Sequence, residues 1–211
     1  MGAVFNLDHG KLAGDARFTA IARELGRQTK IDSSETFNSY CRAACRLWEQ
    51  YFGNSSIGKT SAQFDQLVMR LDRDGENVIQ TSWGGVVITL HEHPRVEKFL
   101  VVHTGGYLAL EKHEKKDERL EVKEGAGLVL WRRGPNDPLT VESLERGRQF
   151  HFEPGMEHCV IGTENLLVFE RSTDPKGMDQ DLVFIYEPVG VAKPEENVQR
   201  STSNVQRPMP R

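Results

Sequence analysis

The sequence predicts a mainly β fold, a sandwich or small barrel, with a helical segment on its N-terminal side. Two observations carry this. From residue 78 onward, short β-branched and aromatic runs follow one another at close spacing, separated by turn signals and without helical periodicity between them. Before residue 78 the apolar residues instead recur at helical spacing. The chain of 211 residues therefore divides into a helical extension (1–77), a β domain (78–187) and a tail (188–211).

The elements follow in order. Over 15–28, Phe18, Ile21, Ala22 and Leu25 fall on one helical stripe. Asp32 with Glu35 reads as a capping pair ahead of a second helix, whose stripe is Phe37, Tyr40, Cys41, Ala44, Trp48 and Tyr51 and whose stop is Gly53. Thr60 with Gln63 reads as the cap of a third helix carrying Phe64, Leu67, Val68 and Leu71. Strand-like runs then occur at 78–79, 86–90, 98–103, 107–113, 120–122, 127–131, 139–141, 149–152, 159–161, 166–169 and 182–186. Thr104-Gly105-Gly106, Glu124-Gly125-Ala126-Gly127 and Glu153-Pro154-Gly155-Met156 are turn signals between them. From Pro188 the chain has four prolines and almost no large apolar side chains, the composition of a disordered tail.

Composition excludes several classes of partner. Lys plus Arg number 27 against 31 Asp plus Glu, a net charge of −4, so no basic excess is available to neutralise nucleic acid. No apolar run is long enough to span a membrane, and the first ten residues lack a secretory pattern. The chain has 3 cysteines, with Cys41 and Cys45 one helical turn apart and Cys159 distant, which points to a reducing cytoplasm rather than a disulfide framework.

The chemistry concentrates in the β region. Residues i and i+2 of a strand share a face, so Glu111 and His113 project together into a barrel. The turn Glu114-Lys115-Lys116-Asp117 returns Glu118 on the adjacent strand, and Pro154-Gly155 sets His158 at the start of another inward-facing strand. Two imidazoles and two carboxylates form a four-ligand site for one divalent transition metal such as zinc, manganese, iron or nickel. Alternation turns Cys159 to the opposite face, into core packing.

These spacings resemble the two motifs of the cupin superfamily, Gly…His-x-His-x(3,4)-Glu-x(6)-Gly and Gly-x(5)-Pro-x-Gly-x(2)-His-x(3)-Asn. Here Glu111 stands at the first ligand position, Pro154 and Gly155 are adjacent, and Gly162 stands at the final position. Within that superfamily, Leu108-Ala109-Leu110-Glu111-Lys112-His113 through Glu118 is similar to the core of cupin-type phosphomannose isomerases. Trp83-Gly84, Val96-Glu97-Lys98, Phe152 to His158 and Phe169-Glu170-Arg171-Ser172-Thr173 extend the likeness over roughly residues 80–187; position 159, an arginine in those isomerases, is Cys159. The resemblance implies a cupin (double-stranded β-helix, jelly-roll) barrel. It also implies metal-assisted aldose–ketose isomerisation of a sugar or sugar phosphate, with proton transfer through a cis-enediol, and possible pairing as a homodimer. Lys98, Glu170, Arg171 and Arg132 are candidates for proton transfer or phosphate contact. A non-catalytic cupin that binds a carbohydrate or small metabolite, and a metal-dependent oxygenase, are the alternatives.

Two other patterns compete. His91-Glu92-His93 with Glu97 fits the first motif on spacing, but Pro94 interrupts the strand. Gly53-Asn54-Ser55-Ser56-Ile57-Gly58-Lys59-Thr60 is a literal phosphate-loop string, but it follows a helix pattern where that motif requires a strand.

Overall fold

The computed structural model describes residues 4–12, 16–27, 30–53 and 78–188. Within them lie strands β1 (Phe5–Lys11), β2 (Lys30–Ile31), β3 (Val78–Thr81), β4 (Gly84–Glu92), β5 (Arg95–Val102), β6 (Leu110–His113) and β7 (Asp117–Glu124). They continue with β8 (Ala126–Arg132), β9 (Leu139–Glu145), β10 (Gln149–Phe152), β11 (Glu157–Gly162), β12 (Leu166–Thr173) and β13 (Leu182–Tyr186). The helices are α1 (Ala16–Leu25) and α2 (Ser34–Phe52). The expected third helix, residues 54–60 of the phosphate-loop string, and the tail beyond Pro188 lie outside the described residues.

Two sheets face each other. One has the order β13-β6-β11-β8-β9-β1-β2 and the other β10-β7-β12-β5-β4-β3. From β5 onward the chain passes back and forth between them: β6 in the first, β7 in the second, β8 and β9 in the first, then β10, β11, β12 and β13 in alternation. That winding is the double-stranded β-helix expected from the sequence. Inward-facing Leu100, Val102, Leu120, Val122, Val129, Leu144, Val160, Leu166 and Val168 form the core between the sheets.

The outer face of the seven-stranded sheet carries a second core. Leu110, Leu128, Leu130, Val141, Cys159 and Ile161 are covered there by Phe37, Tyr40, Cys41, Ala44 and Trp48 of α2 and by Ile21 and Leu25 of α1. Cys159 thus faces the helices, as its alternation with His158 requires, and its thiol lies 3.2 Å from the Leu108 carbonyl oxygen.

Two details of the N-terminal segment differ from the sequence reading. The cap of α2 is Ser33, not Asp32: Ser33 Oγ accepts the Thr36 N–H at 3.2 Å while Thr36 Oγ1 accepts the Ser33 N–H at 3.0 Å. The reciprocal box sits one residue later because a threonine hydroxyl can close it in place of a glutamate. Gly53 does end the helix, in the left-handed conformation at φ 66°. The segment also contains β1, which pairs in parallel with β9, and β2, which pairs with β1. Phe5 is buried while Asn6 and Asp8 are exposed, a period-two signal too short to stand out beside the helical stripes.

Candidate metal centre

The site forms where the two sheets converge. In the seven-stranded sheet, β6 and β11 pair with His158 directly opposite Glu111, so both side chains and His113 enter the same interior. The Pro154-Gly155 turn is fastened to that strand: the Gly155 N–H donates to the His113 carbonyl at 2.7 Å, with Gly155 at φ 86°, a conformation open to glycine. One donor atom from each of Glu111, His113 and His158 lies within 4.8 Å of the others.

The six-stranded sheet supplies the opposite wall. Lys98 on β5 stands across from Glu170 on β12, and Ser172, two residues on, stands across from Glu118 on β7. Between these side chains lies a residue the sequence reading assigned to a solvated turn. The Lys116 ammonium is buried, 2.8 Å from Glu118 Oε2, 2.6 Å from Glu170 Oε1 and 2.6 Å from Asp179 Oδ1. Lys98 pairs with Glu170 at 3.2 Å and also with Asp179.

Asp179 and Asp181, both missed in sequence, come from the loop before β13. Asp174 accepts the N–H groups of Lys176, Gly177 and Asp179 at 3.1, 2.8 and 2.7 Å, and this holds Asp179 at φ 62° with its carboxylate on the two ammonium groups. Asp181 Oδ1 meets His113 Nδ1 at 3.1 Å, while its Oδ2 accepts the Lys115 and Lys116 N–H groups at 2.6 and 3.0 Å. One carboxylate therefore orients an imidazole and folds the turn that sends Lys116 inward. Phe152, also missed, stacks on the His158 ring at 4.3 Å between centroids.

The electrostatics follow from this burial. Burial opposes a charge on Lys116, but Asp179, Glu118 and Glu170 outweigh it and hold its pKa well above the usual lysine value. Burial would likewise raise Glu118, yet the Lys116 ammonium overrides it and keeps that carboxyl well below its ordinary range. Burial raises Glu170, reinforced by the Glu118 charge. On the other wall burial pushes the Glu111 carboxyl up to about 8 and the His158 imidazole down to about 4.

Glu111 gives a pH-dependent expectation. Its folded pKa lies above the unfolded value of about 4.3, so its contribution to stability is present below that value and lost as pH rises through 8. His113, also raised against burial by the Glu118 hydrogen bond, acts in the same direction. His158 acts oppositely, but only between about 4 and about 6.5. The metal-free protein should therefore lose stability between pH 6.5 and 8.5, and Glu111→Gln should flatten the slope in urea titrations at the two pH values.

The structure separates the remaining candidates. Lys98 and Glu170 line the interior, but Arg132 and Arg171 do not. Arg132 lies on the outer face, paired with Glu157 at 2.5 Å and 4.2 Å from the centre of the Phe5 ring. Arg171 is exposed and paired with Glu97 at 2.8 Å. Each follows an inward residue, Trp131 or Glu170, so strand alternation turns it outward. His91 and His93 sit exposed at the end of the β4–β5 hairpin, away from this group.

The residues present fit a divalent metal. His158 stands opposite Glu111 and turns Nε2 toward the same interior, 3.7 Å from Glu118 Oε1. His113, tied to Asp181 through Nδ1, presents Nε2 to the interior, 3.4 Å from both Glu118 Oε2 and the Lys116 ammonium. The carboxylates of Glu118, Glu170, Asp179 and Asp181 outnumber the two ammonium groups, so a cation enters a region of negative charge.

Comparison with known proteins adds likeness at the level of fold. No family model matches the sequence, and no curated protein does. Among solved structures, an uncharacterised protein with a double-stranded β-helix domain from Klebsiella pneumoniae matches with TM-score 0.39 and 16% identity, over 56% of this chain and 88% of its own. KdgF from Halomonas sp. matches with TM-score 0.38 and 19% identity, over 42% and 76%. An oxalate decarboxylase of Lactobacillus farciminis, in complex with formate, matches with TM-score 0.44 and 16% identity over 53% of this chain, which spans only 34% of that protein.

Proposed function

We propose that this chain is a metal-dependent isomerase that interconverts an aldose and a ketose by moving a proton between adjacent carbons. The observation that carries the reading is the juxtaposition of the Glu111, His113 and His158 donors with Glu170, whose carboxylate lies between the Lys98 and Lys116 ammonium groups. A divalent metal on those donors would supply Lewis acidity at the substrate oxygen where charge develops. Glu170 would take the proton from the carbon beside the carbonyl, its C–H electron pair forming the carbon–carbon double bond of the enediol. The hydroxyl proton on that carbon would pass to the former carbonyl oxygen as the new carbonyl forms there, and the same carboxyl, open to exchange with solvent, would return a proton to the former carbonyl carbon. The two lysines hold Glu170 in place. Among the described residues, Arg132 and Arg171 point out of the interior and Lys98 and Lys116 are paired with carboxylates, which favours an unphosphorylated sugar over a sugar phosphate.

The test is turnover of a panel of hexoses, pentoses and their phosphates in D2O by protein loaded in turn with zinc, manganese, iron and nickel. Deuterium should enter the product at the exchanged carbon, and Glu170→Gln should lower turnover about 10²–10⁴-fold. Metal binding with no turnover of any sugar would replace this reading with that of a non-catalytic binding module. A second enzymatic reading has its own support: two imidazoles and one carboxylate are also the donor set of iron-dependent oxygenases. Oxygen consumption by the iron-loaded protein, without isomerisation, would select it.

A further inference from the structure

Glu118 is the residue that the motif spacing makes a fourth ligand, yet its carboxylate is ion-paired to a buried lysine. The donors lying within 4.8 Å of one another are Glu111, His113 and His158, and Glu118 is not among them. Its Oε2 is 2.8 Å from the Lys116 ammonium and 3.4 Å from His113 Nε2, and its Oε1 is 3.7 Å from His158 Nε2. The Lys116 ammonium is ion-paired with three carboxylates, Glu118, Glu170 and Asp179, and lies 3.4 Å from His113 Nε2, while its side chain is only 1% exposed. Drawing Glu118 away would take one of three negative charges from a buried ammonium, a costly change. The backbone offers Lys116 little freedom to follow, because its N–H is held by Asp181 at 3.0 Å.

We propose that Lys116 holds Glu118 outside the metal's coordination shell, so that three side chains carry the ion and Glu118 acts as an outer carboxylate. The inference rests on the metal-site reading above and deepens it. Three protein donors leave three positions of an octahedral ion for other ligands, enough for two adjacent oxygens of one substrate. The class of ligand this favours is a chelating hydroxy-carbonyl compound, rather than one that binds through a single atom. Lys116 is in this account a positioning residue, and its effect should be visible in the coordination of the ion without any turnover.

Cobalt(II) is the probe, since its visible absorption bands report the number and type of its ligands. Each variant is titrated to saturation in the full chain. Glu118→Gln keeps an oxygen acceptor for Lys116 and should leave the bands of bound cobalt unchanged, whereas Glu111→Gln should shift them. Lys116→Met releases Glu118 and should shift the bands and tighten binding about tenfold or more. A shift in Glu118→Gln as large as that in Glu111→Gln overturns the proposal, even if Lys116→Met does not fold. Unchanged bands in a folded Lys116→Met overturn it as well. A wild-type chain that binds no cobalt overturns the metal-site reading itself, and this proposal with it.

Discussion

Lys116→Met is expected to destabilise the metal-free protein by about 3–5 kcal/mol at neutral pH, the typical cost of removing one partner from a buried ion pair. Methionine fills nearly the same space, so the loss is electrostatic rather than a cavity. It leaves Glu118 with no ammonium within the ion pairs described, and leaves Lys98 as the one ammonium paired with Glu170 and Asp179 among the described residues. The pH dependence identifies the cause. Glu118 is held well below the usual carboxylate range against the opposing effect of burial, so its contribution is present above the unfolded pKa of about 4.3 and lost as pH falls through the folded value. Asp179 is lowered in the same way by Lys116 and Lys98. In Lys116→Met these carboxyls lose the group that depresses them, and protonation relieves the penalty as pH falls. Urea denaturation of both proteins should show a large gap at pH 7 that narrows toward pH 3. A gap of the same size at both pH values would mean that packing, not charge, sets the effect.

The second large effect concerns the imidazoles. His113→Ala and His158→Ala should each weaken metal binding by more than about 100-fold, since loss of an outer partner alone commonly costs 10–100-fold. The two histidines are held by different means. His113 is oriented by Asp181, whereas His158 is fixed by the Phe152 stack and by β11. His158 also stays neutral down to about pH 4 because burial disfavours its charged form, so no proton competes for it near neutrality. His91→Ala is the control, being exposed on the β4–β5 hairpin.

How far the site could be read from sequence depended on whether a signal was local. Glu111 and His113 share a face by strand periodicity, and the Pro154-Gly155 turn before His158 marks the entry of β11. Cys159 facing α2 follows from the same alternation. That rule also separates Glu170 from Arg171, because adjacent strand residues cannot both point inward. Lys116 is different. It lies in a run of charged residues that ordinarily marks a solvated turn, and its burial depends on Asp179, 63 residues away in a loop shaped by Asp174. No periodicity within the run encodes that convergence. The parallel pairing of β1 with β9 is likewise non-local, joining Leu7 to Leu139.

We propose Glu111, His113 and His158 as one metal centre inside the barrel. Metal content of the purified wild-type chain and its His113→Ala, His158→Ala and His91→Ala variants, measured by inductively coupled plasma mass spectrometry, tests it most directly. One divalent transition metal is expected per wild-type and His91→Ala chain, with loss of that metal from folded His113→Ala and His158→Ala. Metal retained in both of those variants, or lost only with His91, would contradict it.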